Sequence, residues 1–273
     1  MRDRDVTCTC RLDVAVEVGQ PVTCAASVVP EEAIRDFASA VTAAAQKASG
    51  GLLVGSYLHG SAVLGGFQPG RSDVDLLVVV DDGVTPAQVR MLADALAGVP
   101  GCPGVGLETS AVTVSAARMP AEPWPFLVHA TTATADRKIV VGDGHDGDPD
   151  LALHYAVARQ SGWAAYGPPA SETVGAVPRR VLLERLQVEL AWGLEQSHMA
   201  YAVLNAARAL RYALDGTICS KLDGGEWAIA HGEPAAEIEP ALAEQRGGRP
   251  SALTAGQEEW VRSVAARLRA TQP

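Results

Sequence analysis

The sequence predicts an α+β protein: an N-terminal domain with a mixed sheet and flanking helices, then an all-helical C-terminal domain. Three observations carry this. Between residues 30 and 145, amphipathic helical stretches alternate with short apolar runs. After residue 145 the periodicity is helical to the C-terminus. Between them in information content, but early in the chain, His59 to Val80 joins a Gly-Ser turn to two aspartates and an unbroken apolar run.

The elements follow in order. Residues 1–29 form an extension of unassigned role, although Arg11 to Val18 alternates as a strand would. Pro30-Glu31-Glu32 opens a helix with proline and acids in its first turn, and Gly50-Gly51 ends it near Ser49. Leu52 to Leu58 is an apolar strand, and Ser61 to Leu64 a short helix closed by Gly65-Gly66. Asp73 to Val80 reads as a strand buried on both faces, because apolar residues follow the acids without alternation. Thr85 to Ala97 is an amphipathic helix with Val89, Leu92 and Leu96 on one side. Leu107 to Val114 is a further strand, with Glu108 at its start. The second domain, 146–273, opens at Asp148-Pro149-Asp150 and continues through one long or two shorter helices over Pro178 to Leu214. Shorter helices near Trp227 to His231 and Pro234 to Gln245, and an amphipathic helix from Leu253 to Ala270, complete it.

Composition narrows the function. A length of 273 residues with 48 % apolar and 20 % charged residues suits one or two globular domains with a sizeable core. A formal net charge of −10 argues against a nucleic-acid partner and is compatible with a cationic small-molecule substrate. No apolar run approaches the roughly 18 residues of a membrane span, and no apolar segment follows the basic start as in a signal peptide. A cytoplasmic protein with no membrane partner is expected; the oligomeric state is left open, with a monomer favoured. The five cysteines, Cys8, Cys10, Cys24, Cys102 and Cys219, read as reduced thiols without a metal role.

The chemistry concentrates at His59 to Val80. Asp73 and Asp75 are two apart on a strand, so both carboxylates project from one face. Like charges held that close need a counter-ion, and hard oxygen ligands suit Mg²⁺. Gly60-Ser61 at a helix start offers N–H groups and a hydroxyl to phosphate. A phosphate cradle beside metal-binding carboxylates points to nucleotide chemistry. His59, His129, His145 and His154 read as structural or surface residues, Trp124, Trp163, Trp192 and Trp227 as packing residues, and the acidic Asp143, Asp146 and Asp148 as a linker.

The wording of this motif, LHGSAVLGGFQPGRSDVDLLVVV, resembles the aminoglycoside 3''/9-adenylyltransferases, the streptomycin and spectinomycin resistance enzymes of the polymerase-β-type nucleotidyltransferase superfamily. The resemblance extends over roughly residues 35–245, through Gly106 to Val114, Pro123-Trp124, Asp148 to Leu153, Tyr166 to Pro168, Leu204 to Tyr212, Asp215 to Lys221 and Glu226 to Ala228. It implies that the first domain is a nucleotidyltransferase domain and that the second closes over the nucleotide. It further implies that Asp73 and Asp75 hold two Mg²⁺ ions on ATP, that Ser61 and Ser72 contact the triphosphate, that Glu108 deprotonates the acceptor hydroxyl, and that Arg208 and Lys221 close over the phosphates.

Two departures bear on the acceptor. Streptomycin-modifying members carry a tryptophan where this chain has Ala130, Thr131 or Thr132, and acids where it has Glu195-Gln196-Ser197-His198-Met199. Members specific for spectinomycin also lack that tryptophan, so spectinomycin is the expected acceptor. The alternatives are another small hydroxylated sugar or cyclitol, or a partner protein modified by a regulatory member of the fold.

Overall fold

The structure is a computed structural model, and it describes residues 30–142 and 147–271. In chain order the elements are α1 (Glu32–Ala48), β1 (Leu53–Leu58), α2 (Ser61–Leu64), β2 (Val74–Val80), α3 (Pro86–Ala97), β3 (Leu107–Thr113), α4 (Val114–Arg118), β4 (Val128–Thr131) and β5 (Lys138–Val141). There follow α5 (Leu151–Ser161), β6 (Trp163–Tyr166), α6 (Ala170–Thr173), α7 (Arg179–Gln196), α8 (Met199–Asp215), α9 (Lys221–Ala230), α10 (Ala235–Gln245) and α11 (Ala255–Ala270). The strands form one mixed sheet in the order β5-β4-β3-β2-β1-β6. β2 and β3 run parallel, and the other pairs are antiparallel.

β2 is buried on both faces, as its apolar run predicts. Leu76, Val78 and Val80 join Ile34, Phe37 and Val41 of α1 and Leu92 and Leu96 of α3 in one core. Leu77 and Val79 point the other way, into a second core with Tyr57, Val112, Trp124, Leu151 and Tyr155. The period-2 alternation of a strand thus anchors the strand behind Asp73 and Asp75 from both sides. Each fully buried leucine or valine contributes about 1.5–3 kcal/mol relative to exposure. Local signals set the ends of α3: Thr85 and Gln88 form a capping box, with Pro86 in the first turn.

From α7 onward the chain is helical, with α8 at the centre of a third core that also takes in Leu183, Leu190, Ile238, Trp260 and Val264. The expectation of an all-helical stretch starting at residue 146 needs one correction. β6 pairs with β1 at Ser56–Tyr166 and Leu58–Trp163, and α5 packs its Leu151 and Tyr155 into the sheet's second core. Trp163 and Ala165 bury against the sheet through a strand too short for periodicity to reveal. β4 and β5, four residues each, are too short to read from the sequence for the same reason. The expected extension 1–29, with Cys8, Cys10 and Cys24, and the acidic residues Asp143 and Asp146 lie outside the described residues. Cys102 and Cys219 are free thiols.

Candidate active site

The site begins where β1 turns into α2. Gly60 adopts φ 61°, ψ −144°, a conformation open only to glycine. A Cβ there would lie 2.0 Å from Oδ2 of Asp75. The missing side chain lets the Asp75 carboxylate rest against the turn, while the His59 N–H donates to the Asp75 carbonyl at 3.0 Å. The Ser61 N–H faces that carboxylate and favours its ionised form. One expectation is therefore modified: α2 is a single turn, and the Ser61 N–H points at Asp75. Ser72 likewise uses its Oγ within the loop, accepting from the Gln68 N–H at 3.1 Å.

Asp73, Asp75 and Glu108 converge because β2 and β3 are parallel neighbours in which Asp75 and Glu108 are register partners. Burial raises the Asp75 carboxyl well above its usual range, and Glu108 and Asp73 push it further. Burial also raises Asp73, with Glu108 adding to it. Crowded carboxylates whose ionised forms are disfavoured are what a divalent cation relieves. Among the described residues no cluster of three His, Cys, Asp or Glu side chains could hold a metal by itself. Two strand carboxylates completed by substrate phosphates match the way Mg²⁺ is usually bound, so the donor set fits that ion.

The opposite wall comes from the helical domain. Ser220 caps α9, accepting from the Asp223 N–H at 3.1 Å, and so sets Lys221 at the first helical position. Gly224 allows α9 to close on α8, since a Cβ there would lie 2.8 Å from Arg208 Cγ. Arg208 is held by the Cys219 carbonyl (2.9 Å) and Asn205 Oδ1 (3.1 Å). Burial lowers Lys221 to about 8, and Arg208 lowers it too, while Asp75, Asp73 and Glu189 favour its charge. The lysine thus lies in the field of both strand aspartates, although 146 or more residues separate it from them in sequence.

Several residues of the site escaped the sequence. Gln68 Nε2 donates to the Gln245 carbonyl, and Arg71 Nη1 to the Glu244 carbonyl at 3.0 Å, tying the motif loop to the end of α10 across the cleft. Glu189 accepts from the Tyr201 hydroxyl, and Lys221 Nζ lies 5.0 Å from the Tyr201 ring. Trp192 meets the same ring edge-on at 4.9 Å. An acid therefore reaches the cleft from α7 instead of from the segment just ahead of α8. His154 Nε2 stands 3.9 Å from Glu108 Oε1, and its ring lies 5.0 Å from that of His59. Burial, and then His154, hold His59 well below the usual imidazole range. Its place directly before Gly60-Ser61 was the signal available in the sequence; for His154 and Glu189 there was none. Ala130 is buried on β4, and Thr132 Oγ1 accepts from the Leu107 N–H at 2.8 Å.

Residues 42–97 match the family model described as a nucleotidyltransferase domain, and residues 174–270 that described as the aminoglycoside adenylyltransferase C-terminal domain. Spectinomycin 9-adenylyltransferases from two strains of Staphylococcus aureus are each 30% identical over 197 residues, covering 66% of this chain and 72% of theirs. The crystal structure of the spectinomycin adenyltransferase AAD(9) from Enterococcus faecialis with ATP and spectinomycin shares the fold, with a TM-score of 0.66 and 18% identity over 86% of this chain and 98% of that one.

Proposed function

Because the chain belongs to the spectinomycin 9-adenylyltransferase family of nucleotidyltransferases, we propose that it transfers AMP from Mg-ATP to a hydroxyl of spectinomycin and releases pyrophosphate. The observation that carries this is the meeting of Asp75 and Glu108 on adjacent parallel strands, and Asp73 just ahead of β2, with Lys221 from the helical domain. In the reaction the acceptor oxygen bonds to the α-phosphorus, the bond from that phosphorus to the pyrophosphate oxygen breaks, and the hydroxyl proton goes to Glu108. A carboxylate base in that position contributes about 10²–10⁴-fold.

Asp73 and Asp75 would hold Mg²⁺, two ions in the family pattern, which supplies charge stabilisation on the phosphates. Lys221 and Arg208 bind the triphosphate from the opposite side. Ser61 and Ser72 add hydroxyls, and the Gln68 and Arg71 ties keep the cleft closed against water. The absence of an indole at Ala130 to Thr132 favours spectinomycin over streptomycin.

The test is pyrophosphate release from ATP and Mg²⁺ with each drug in turn. Release with spectinomycin and none with streptomycin is expected, with Glu108→Gln losing turnover but keeping ATP affinity. No release with spectinomycin, from protein that binds Mg-ATP, overturns the acceptor. Full turnover in Glu108→Gln overturns the base.

A further inference from the structure

We propose that His154 is a positioning residue for Glu108, holding the carboxylate in the orientation from which it takes the acceptor's proton. The inference rests on Glu108 being the base and adds a second residue to that step. Glu108 stands at the start of β3 with its side chain 30% exposed, beside two aspartates of like charge. Repulsion from Asp73 and Asp75 favours rotamers that swing Glu108 toward solvent, away from the reacting atoms. An oppositely placed donor is needed to retain it. Among the described residues, the basic side chain within 4 Å of Glu108 is His154, at 3.9 Å. That is longer than a direct hydrogen bond, and of the length that tightens when substrate binds.

The imidazole is itself fixed. His154 lies on α5 between Leu151 and Ala152 on one side and Tyr155 and Ala156 on the other, all buried in the sheet's second core. Its backbone N–H donates to the Asp150 carbonyl at 3.2 Å. Its ring packs on that of His59, tilted by 48° at 5.0 Å. His59 is 3% exposed and is anchored at the end of β1 by the bond from its N–H to Asp75. The contact chain His59, His154, Glu108 therefore links the Gly60 turn to the base through a helical residue 46 positions after Glu108 in sequence. No proton passes to His154 in this step; it orients the group that accepts one.

The test compares His154→Leu with His154→Gln, whose Nε2 can stand near that of the imidazole. In steady-state turnover with spectinomycin, His154→Leu should lower kcat about 10-fold or more, since misplacement of a reacting group by about 1 Å costs up to 10²-fold. KM for ATP and for acceptor should stay within about twofold, and His154→Gln should regain most of the loss. In a Glu108→Gln background the leucine substitution should cost almost nothing further, because both changes remove one function. Wild-type kcat in His154→Leu, a glutamine variant no better than leucine, or losses that multiply in the double variant would each overturn the proposal. A measurement without acceptor separates it from the assigned reaction. In protein labelled with ¹⁵N-histidine, the His154 ring signals should shift on Glu108→Gln. Unmoved signals overturn the contact, whereas a shift in protein inactive on spectinomycin retains it and rejects only the acceptor.

Discussion

Gly60→Ala tests whether the turn exists to admit the Asp75 carboxylate. The new Cβ would lie 2.0 Å from Oδ2, 2.7 Å from Cγ and 3.2 Å from Cβ of Asp75. Ordinary contacts begin near about 3.5 Å, so the carboxylate or the turn must move by more than about 1 Å. Two costs follow. An alanine at φ 61°, ψ −144° stores about 1–3 kcal/mol of backbone strain. In a protein of this size that lowers Tm by a few degrees, at about 2–4 °C per kcal/mol. The displaced carboxylate loses alignment with the Mg²⁺ it would hold, and a shift of about 1 Å costs about 10²-fold in rate. Gly51→Ala is the control: its φ is +89°, and no atom lies within 4 Å of the added Cβ. It carries the strain without the clash. Thermal unfolding and pyrophosphate release on both variants decide the matter. A Tm loss at least as large as that of Gly51→Ala, with a roughly 100-fold rate loss confined to Gly60→Ala, is expected. If Gly60→Ala turns over within threefold of wild type, the close approach to Asp75 has no catalytic meaning.

Further outcomes follow from the electrostatics of the cleft. The raised Asp75 pKa means that the folded protein without metal binds that proton more tightly than the unfolded chain. Stability is then lost as pH rises above the ordinary carboxylate value of 3.8 through the higher folded value. Asp75→Asn should unfold no earlier than wild type near pH 7, lose turnover, and show no Tm gain from Mg²⁺ with a non-hydrolysable ATP analogue; an undiminished gain would remove Asp75 from the metal site. Lys221, lowered from 10.5 to about 8, works in the opposite sense. The unfolded chain holds that proton more tightly, so the protein without nucleotide gains stability as pH rises from about 8 toward 10.5. Lys221→Met should flatten that rise in a pH series of Tm while sharply weakening ATP binding; an unchanged pH profile would contradict the buried charge. Arg71→Ala removes the tie to the Glu244 carbonyl, and an ATP KM raised about 5-fold with unchanged Tm is expected from steady-state kinetics, whereas an unaltered KM would separate this contact from closure.

The elements around the motif were legible because their signals are local. Gly60, the aspartates two apart and the apolar run to Val80 specify turn, carboxylate face and doubly buried strand within 21 residues. Glu108 was legible through its place at the start of the next strand together with the family wording. β4, β5 and β6 were not, since four-residue strands show almost no periodicity and owe their existence to a neighbour offering free backbone groups.

What the sequence alone determined is the chemistry: which side chains carry charge, which turn demands glycine, which runs must be buried. Those depend on interactions between residues a few positions apart, whose geometry the backbone sets directly. Only the tertiary structure decided the company these groups keep. Asp75 faces Glu108 because β2 and β3 are parallel in that register; Lys221 enters their field because Gly224 lets α9 close on Arg208; Gln68 and Arg71 reach across to α10; and His154 stands beside Glu108 because α5 packs on the sheet. Apart from the approach of Gly224 to Arg208, 16 positions away, each of these contacts joins residues more than 30 positions apart. Their positions follow from how whole faces bury against one another, a property that no stretch of sequence contains.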